Sequence, residues 1–505
     1  GRGKSLKELS IEAVKSGQTK IIPERFEKIY FQWMENLCDW CISRQIWFGH
    51  QIPVWYRPAV ILNGTKNLDP EMYVGIEAPQ GEGWIQDPDS LDTWFSSGIW
   101  TFSTLGWPAE TKDFKTFHPT SVLETGRDII FFWVARMILM TTYTLGEVPF
   151  KTVYLRGLVL DEAGRKMSKS LGNAIDPLVT SDKFGTDATR LALTIGGTPG
   201  NDLRLSEAKI EGFRNFANKL WNISRFILSQ EGEPASKFKA ETLADEWILG
   251  RLTEVANEVT KSIESFDFSR AGELLRDFTW SEFADWYLEI SKVQLRGEYQ
   301  TNTLAILRFI LTTLLKLWHP FMPFVTEAIW QEAGLGEGLL MMTEWPKLKY
   351  KKEAGDFAKI QELITIIRNL RAESNVPAKA KPAAVVPDSK LLRAEAENIK
   401  SLAFLGDLEY SKGGDGPEKS VKGITTLGEV YLVIEGAIDA TAESARLTKE
   451  IEQLEKYVTL QEKKLANEDF VKRAPAAVIE KERQKLFEVK DKIAKFKFEL
   501  VKLGK

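Results

Sequence analysis

The spacing of apolar residues changes character at Ser206, and no single fold class accommodates both sides of that change. From Phe31 to about Ser206, short apolar runs alternate with helical patterns. The run 153–160 predicts a strand and 129–142 a helix, with Gly and Pro punctuating between them, which is an α/β texture. The stretch 57–87, rich in Gly, Pro and Asn, reads as an inserted lobe. Ser206 is placed to cap a helix whose first turn carries Glu207, and helical periodicity then runs with few breaks to Trp330. Phe213, Phe216, Trp221, Phe226, Trp280, Phe283, Trp286, Tyr287 and Trp318 recur on those faces. A helix-bundle core accounts for most of them, with base stacking left to one or two.

A Lys-rich link at 346–352 leads to a small α/β segment, with a helix predicted over 360–372 and strands over 383–386 and 430–434. From Glu443 onward, Leu447, Ile451, Leu454, Val458 and Leu465 are followed by Leu486, Val489, Ile493, Phe496, Leu500 and Leu503, mostly three and four apart. That is a coiled-coil seam. Pro475 cannot sit inside a continuous helix, so the two halves are expected to fold back as an antiparallel hairpin. In this stretch 16 Lys and Arg stand against 12 Asp and Glu, which fits either a solvated charged face or an arm that touches phosphate.

Composition narrows the class. A chain of 505 residues, 43% hydrophobic and 27% charged, has room for three or four domains. A net charge of −4 excludes a uniformly basic coat for nucleic acid but leaves room for local basic surfaces. Cys38 and Cys41 are the only cysteines, and no second pair or nearby His completes four ligands around them. They read as structural thiols, with no metal site and no disulfide framework. The apolar run 129–140 is short and interrupted by Arg136, and the first residues lack a signal-peptide pattern. A cytoplasmic protein with no membrane partner is expected.

The most specific stretch is Gly164-Arg165-Lys166-Met167-Ser168-Lys169-Ser170-Leu171-Gly172-Asn173, placed after the 153–160 strand. Lys166 and Lys169 on a glycine-flanked loop can reach a triphosphate, where their charge counts most as negative charge builds on departing pyrophosphate. Ser168 and Ser170 can donate to phosphate or order the loop, and Gly164 and Gly172 let the backbone move. Upstream lie Asp92-Thr93-Trp94-Phe95-Ser96-Ser97-Gly98 and Glu124-Thr125-Gly126-Arg127-Asp128-Ile129-Ile130-Phe131-Phe132-Trp133. An acid beside glycine at the mouth of an α/β sheet suits ribose hydroxyls or an ammonium group, and Trp walls suit a small branched aliphatic side chain. Trp133 also suits an ordinary core position, and Asp128 a helix N-cap.

These segments, with Trp40 to Pro53 and the run Phe213-Arg214-Asn215-Phe216-Ala217-Asn218-Lys219-Leu220-Trp221-Asn222, resemble class I aminoacyl-tRNA synthetases over nearly the whole chain. His50 after Gly49 and the Thr-Trp-Phe-Ser-Ser wording favour the valine branch over the isoleucine branch, for which a C-terminal zinc module is also missing. The resemblance implies the C-terminal half of a Rossmann-like α/β catalytic domain, then an all-α anticodon-binding bundle and a C-terminal coiled coil. By it, 1–30 is the tail of an editing insertion and 31–205 the catalytic half with its lobe at 57–87. A helical anticodon-binding domain spans 206–350, a small α/β junction 351–440 and a tRNA-binding arm 441–505.

By the same resemblance Lys166, Ser168, Lys169, Ser170 and Asp128 serve ATP, which arrives with Mg2+ as the substrate complex. Trp94, Ile129 and Trp133 wall valine, and Arg214, Lys219, Lys472 and Arg473 touch tRNA(Val). Arg214 and Lys219 equally suit solvated helix charges. No structural zinc is implied, and the full-length protein is expected to be a monomer. The His-x-Gly-His signature of the family is absent: none of His50, His118 and His319 lies in such a sequence. The chain therefore reads as the C-terminal portion of a longer enzyme that does not form adenylate unaided. The rival from another class is a non-catalytic tRNA-binding protein.

Overall fold

A computed structural model describes residues 3–57, 71–168, 170–350, 355–413, 416–434, 440–466 and 476–503. The chain forms two compact units: 1–229 with 254–280 and 310–349, and 230–253 with 281–309 and 350–505.

The first unit is built on a three-stranded parallel sheet ordered Lys20–Ile22, Phe150–Arg156, Thr120–Gly126. Leu123, Val153 and Leu155 point to one face, alternating along their strands as a pleated backbone requires. They meet Val14, Met34, Met137 and Ile138 from the helices Leu6–Lys15, Glu27–Glu35 and Arg136–Leu145, and Val134 from the turn just before the last of these. A capping box at Ser5 and Glu8 starts the first of these helices. Residues 1–30 supply this helix and the Lys20–Ile22 strand to the α/β core. Three strand residues are too few to show a two-residue period in sequence.

The helix expected at 129–142 is assembled from three kinds of turn. A 3-10 turn over Arg127–Ile129 passes into a π-helical segment over Ile130–Ala135 and then the α-helix Arg136–Leu145. By length and apolar composition alone Arg127–Leu145 could cross a bilayer, contrary to the reading that its apolar run is too short. It is instead a core helix: Ile130, Val134, Met137 and Ile138 are buried against the sheet.

The strand expected at 153–160 breaks at Gly157 into Phe150–Arg156 and Val159–Leu160, the second pairing in parallel with Leu203–Arg204. A Cβ on Gly157 would lie 2.0 Å from the Asn201 carbonyl oxygen, so only glycine lets the two segments pass. Within the lobe, Val54–Arg57 pairs antiparallel with Glu71–Val74 and Ile85–Gln86; 58–70 lie outside the described residues. Cys38 and Cys41 are both exposed rather than packed.

Ser206 caps the helix Glu207–Leu228 as its sequence predicts, accepting from the Lys209 amide at 3.1 Å. In the same unit Trp318 is fully buried, donates to Thr279 Oγ1 at 3.1 Å and packs on Phe216. Those aromatics are core, as a bundle requires. Asp187 receives the Phe324 and Val325 amides at the start of the helix Pro323–Glu332.

In the second unit, buried Asp245 accepts from Tyr287 Oη at 2.7 Å and from the Thr242 amide at 3.1 Å. The helix Phe357–Glu373 packs on a four-stranded sheet ordered Asp407–Ser411, Ala383–Pro387, Gly428–Val433, Ser420–Thr425. Helices Ala440–Ala466 and Ala476–Leu503 lie antiparallel. Lys490 meets Glu462 and Lys497 meets Glu455, both at 2.7 Å, and Ile451 and Ile493 are buried. Pro475, on which the hairpin expectation rests, lies outside the described residues.

Candidate active site

Three segments converge at the carboxyl ends of strands Thr120–Gly126 and Phe150–Arg156, where open parallel sheets bind ligands. Arg127 donates to the Gly200 carbonyl at 2.7 Å and to the Asp202 carboxylate at 3.0 Å, and Asp202 accepts the Leu158 amide at 2.8 Å. The turn after the first strand, the break after the second and the segment before Leu203–Arg204 are thereby tied together.

From the second of these grows the loop that carries Lys166. Asp161 closes a hairpin turn: Gly164, at φ +79°, donates its amide to the Asp161 carbonyl, and Asp161 donates its own amide to the Arg165 carbonyl. The Asp161 carboxylate accepts from Asn173 Nδ2 at 2.9 Å, from the Arg165 amide at 2.8 Å and from Arg165 Nε at 2.9 Å. The Asn173 side chain and the Arg165 amide hold its pKa down at about 2. Asn173 also donates to the Lys166 carbonyl and accepts the Ser168 amide, so one amide side chain clasps both ends of the loop. Ser168 Oγ lies 3.1 Å from Ser170 Oγ and accepts the Leu171 amide. Lys166 and Ser170 are exposed; Lys169 lies outside the described residues.

The aromatic wall is assembled from distant parts of the chain. Asp92 caps the short helix Thr93–Gly98 by accepting the Trp94 amide, and although nearly buried it also accepts from Trp40 Nε1 at 2.9 Å and Arg44 Nη2 at 2.7 Å. Arg136 Nη1 stands 3.9 Å from the same carboxylate, and the guanidinium stacks 3.7 Å above the Trp40 ring. A Cβ on Gly98 would lie 2.4 Å from Met140 Sδ, so glycine lets the short helix press close to Arg136–Leu145.

On this frame Trp94 stacks on Phe132 at 5.7 Å. Trp133 donates its indole N–H to the Ser97 carbonyl at 3.1 Å and packs against Trp100. Trp94, Ile129 and Trp133 are all half-buried, which fits a wall better than a sealed core. Asp128 is exposed within the 3-10 turn that Gly126 caps, so it is not the N-cap; its carboxylate folds back toward Gly126.

The residues named for tRNA are placed unequally. Arg214 pairs with Glu211 at 3.0 Å, and Lys219 Nζ sits 5.1 Å over the Trp280 ring. Lys472 and Arg473 lie outside the described residues. Among the described residues no group of three or more His, Cys, Asp or Glu side chains is arranged to hold a metal. Sequence reasoning passed over Asp161, Asp92, Arg136, Trp40 and Arg44. The available signal was Asp92 directly before a short helix, a capping position.

Comparison with known families places this geometry. The profile for class I tRNA synthetases (I, L, M and V) matches 2–206, that for the anticodon-binding domain of tRNA ligase 245–386, and that for the valyl tRNA synthetase tRNA binding arm 439–504. Valine–tRNA ligase of Clostridium acetobutylicum is 44% identical over 95% of this chain and 56% of its own length. That of Syntrophotalea carbinolica is 44% identical over 99% and 57%, and that of Bacillus subtilis 42% over 95% and 55%. The chain thus spans about half the length of the curated relatives it matches.

Among solved structures, a LeuRS-tRNA-LeuAMS ternary complex of Agrobacterium radiobacter K84 is 20% identical with a TM-score of 0.50, covering 74% of this chain and 48% of that one. Mycobacterium tuberculosis methionyl-tRNA synthetase in complex with methionyl-adenylate is 18% identical with a TM-score of 0.51, covering 68% and 66%. Those likenesses speak to the fold. The sequence relatives and the three profiles show that nearly the whole of this chain is similar to about half of a valine–tRNA ligase, a class I aminoacyl-tRNA synthetase.

Proposed function

We propose that the chain carries the half-site of a valine–tRNA ligase that holds the pyrophosphate-facing loop and the amino-acid wall, together with surfaces that bind tRNA(Val). What supports this reading is that the segment leading to the clasped Asp161–Asn173 loop and the segment carrying Trp133 leave the carboxyl ends of neighbouring parallel strands, Phe150–Arg156 and Thr120–Gly126. In the reaction the valine carboxylate attacks the α-phosphorus of ATP, supplied with Mg2+, and pyrophosphate leaves. A terminal ribose hydroxyl of tRNA then takes the acyl group and AMP departs.

Lys166 and Lys169 neutralise charge growing on the leaving pyrophosphate, and Ser168 and Ser170 donate to its oxygens. Asp128 takes the ribose or the ammonium group. Trp94, Ile129 and Trp133 read a small branched side chain by shape, which restricts discrimination against a molecule one methylene different to about 10- to 200-fold. Within this reading, 31–205 is the catalytic half, 206–350 the anticodon-binding bundle, 351–440 the junction and 441–505 the arm. The setting is the cytoplasm, and the full-length enzyme is a monomer.

The test is charging of tRNA(Val) with labelled valine by the chain, alone and with the polypeptide that precedes the matched region in a relative supplied in trans. Valyl-tRNA formed in the paired reaction supports the reading. Tight tRNA binding with no charging in either reaction replaces it with a non-catalytic tRNA-binding protein.

A further inference from the structure

Cys38 and Cys41 belong neither to the core nor to the candidate site, and both thiols are exposed. They stand on the segment that joins the helix Glu27–Glu35 to the strand Ser43–Arg44, and 37–42 contain no helix, strand, turn or bend. Cys41 has the more reactive surroundings. Its Sγ lies 3.4 Å from Ser43 Oγ, and hydrogen bonds with the Ser43 side chain and backbone, with Arg44 nearby, hold its pKa below the ordinary thiol value. An exposed thiol with more thiolate character is the one an oxidant meets first. Cys38, three residues earlier, donates weakly to the Asn36 carbonyl at 3.5 Å.

Between the two thiols sits Trp40, which donates through Nε1 to Asp92 at 2.9 Å and carries the Arg136 guanidinium over its ring. A disulfide holds its two Cα atoms about 4.4–6.8 Å apart, whereas three steps of backbone without a turn span roughly 10 Å. The bridge therefore closes only if 38–41 fold into a turn. Trp40 lies inside that turn, so a seated indole and a closed bridge exclude each other.

We propose that Cys38 and Cys41 form a peroxide-oxidisable dithiol whose closure to a disulfide is opposed by the seating of Trp40 on Asp92. The Cys41 thiolate attacks hydrogen peroxide: an S–O bond forms, the O–O bond breaks, and the departing hydroxide takes up a proton as water. The Cys38 thiolate then attacks the sulfenic sulfur, so that S–S forms, S–O breaks and a second water leaves. In all, two thiols give up two electrons and one peroxide is reduced to two waters; a thiol reductant reverses the change. When Trp40 leaves, Asp92 loses a donor, and the oxidised state loosens the helix Thr93–Gly98 that Asp92 caps.

The experiment exposes the whole chain to hydrogen peroxide and follows the cysteines by free-thiol titration and peptide mass mapping. Wild type is expected to lose both thiols and to yield a peptide bridged within itself, restored by dithiothreitol. Cys38→Ser stops at a Cys41 sulfenic acid that dimedone traps, and Cys41→Ser oxidises roughly 10-fold more slowly. In a glutathione redox buffer, Trp40→Phe, which keeps a ring but removes the N–H, raises the equilibrium constant for closure by roughly 10-fold. Hydrogen exchange over 92–98 is faster in oxidised than in reduced wild type. Retention of both thiols, oxidation of Cys41→Ser at the wild-type rate, or a bridge between two chains instead of within one overturns the dithiol. A closure equilibrium that Trp40→Phe leaves in place, or exchange over 92–98 that oxidation does not alter, overturns the opposition between bridge and indole.

Discussion

The Lys166 loop and the Trp94 wall serve one candidate site but are held by opposite means. The loop is fastened by a clasp twelve residues apart, Asn173 to Asp161, and most of its side chains stay in water. The wall draws Trp40, Arg44 and Arg136 onto the nearly buried Asp92, across 44 to 52 residues of chain. A loop with few apolar contacts opens at low cost, while a wall fixed by a desolvated carboxylate and close-packed rings does not. The difference suits the proposed chemistry, in which charge on a leaving group would be met by a segment free to close and a small aliphatic side chain measured by a surface that keeps its shape.

The sharpest way to break this contrast is to remove the loop's charge. In the enzyme reading Lys169→Ala lowers valine-dependent adenylate formation by roughly 100- to 1,000-fold, the scale of losing one transition-state donor, with tRNA affinity nearly unchanged. Pyrophosphate exchange and filter binding on the same preparation separate the two. Unchanged exchange would remove the loop from the chemistry.

The wall is expected to respond in stability first. Asp92→Ala strands Arg136 beside the Trp40 ring and removes the cap of the Trp94 helix, a loss of about 2–4 kcal/mol in denaturant unfolding. Asp92→Asn keeps a capping oxygen and is expected to cost about half as much. Equal losses would assign the effect to the charge of the carboxylate, since Asn keeps most of its hydrogen-bonding shape.

Asn173→Ala probes the clasp. Unfolding is expected to move by no more than about 1 kcal/mol, because the loop is exposed, while exchange activity falls about 10-fold as the loop loses its held geometry. Smallest is the pH effect. The folded-state pKa of Asp161, about 2, lies below its ordinary 3.8, so its contribution is fully present above pH 4 and is lost as pH falls toward 2. Peptide-resolved hydrogen exchange over 160–175, corrected for the intrinsic pH dependence, should show the loop opening across that interval before the sheet does.

The same contrast explains what could be read from sequence. The loop's letters lie together, so Lys166, Ser168 and Asn173 were visible as one unit; only the role of Asp161, just upstream, was not. The Trp94 and Trp133 segments were each visible, but nothing in their spacing reveals that Trp133 donates to Ser97 or that Arg136 stacks on Trp40. Asp92 was written in the Trp94 motif without its work being legible, since a buried carboxylate is defined by partners 44 to 52 residues away. Long periodic helices such as Glu207–Leu228 were legible because burial repeats every turn. The strands Asp407–Ser411 and Ser420–Thr425 were not, because short mixed-polarity strands leave little period to detect.

The central claim, that loop and wall form one amino-acid-activating site, is tested most directly by valine-dependent exchange of pyrophosphate into ATP. Isoleucine and threonine serve as comparisons, with the polypeptide preceding the matched region of a relative supplied in trans. Exchange that prefers valine, and that Trp133→Ala reduces for valine more than for isoleucine, is the predicted result. Exchange that is absent, or that does not distinguish the three amino acids, would contradict the account.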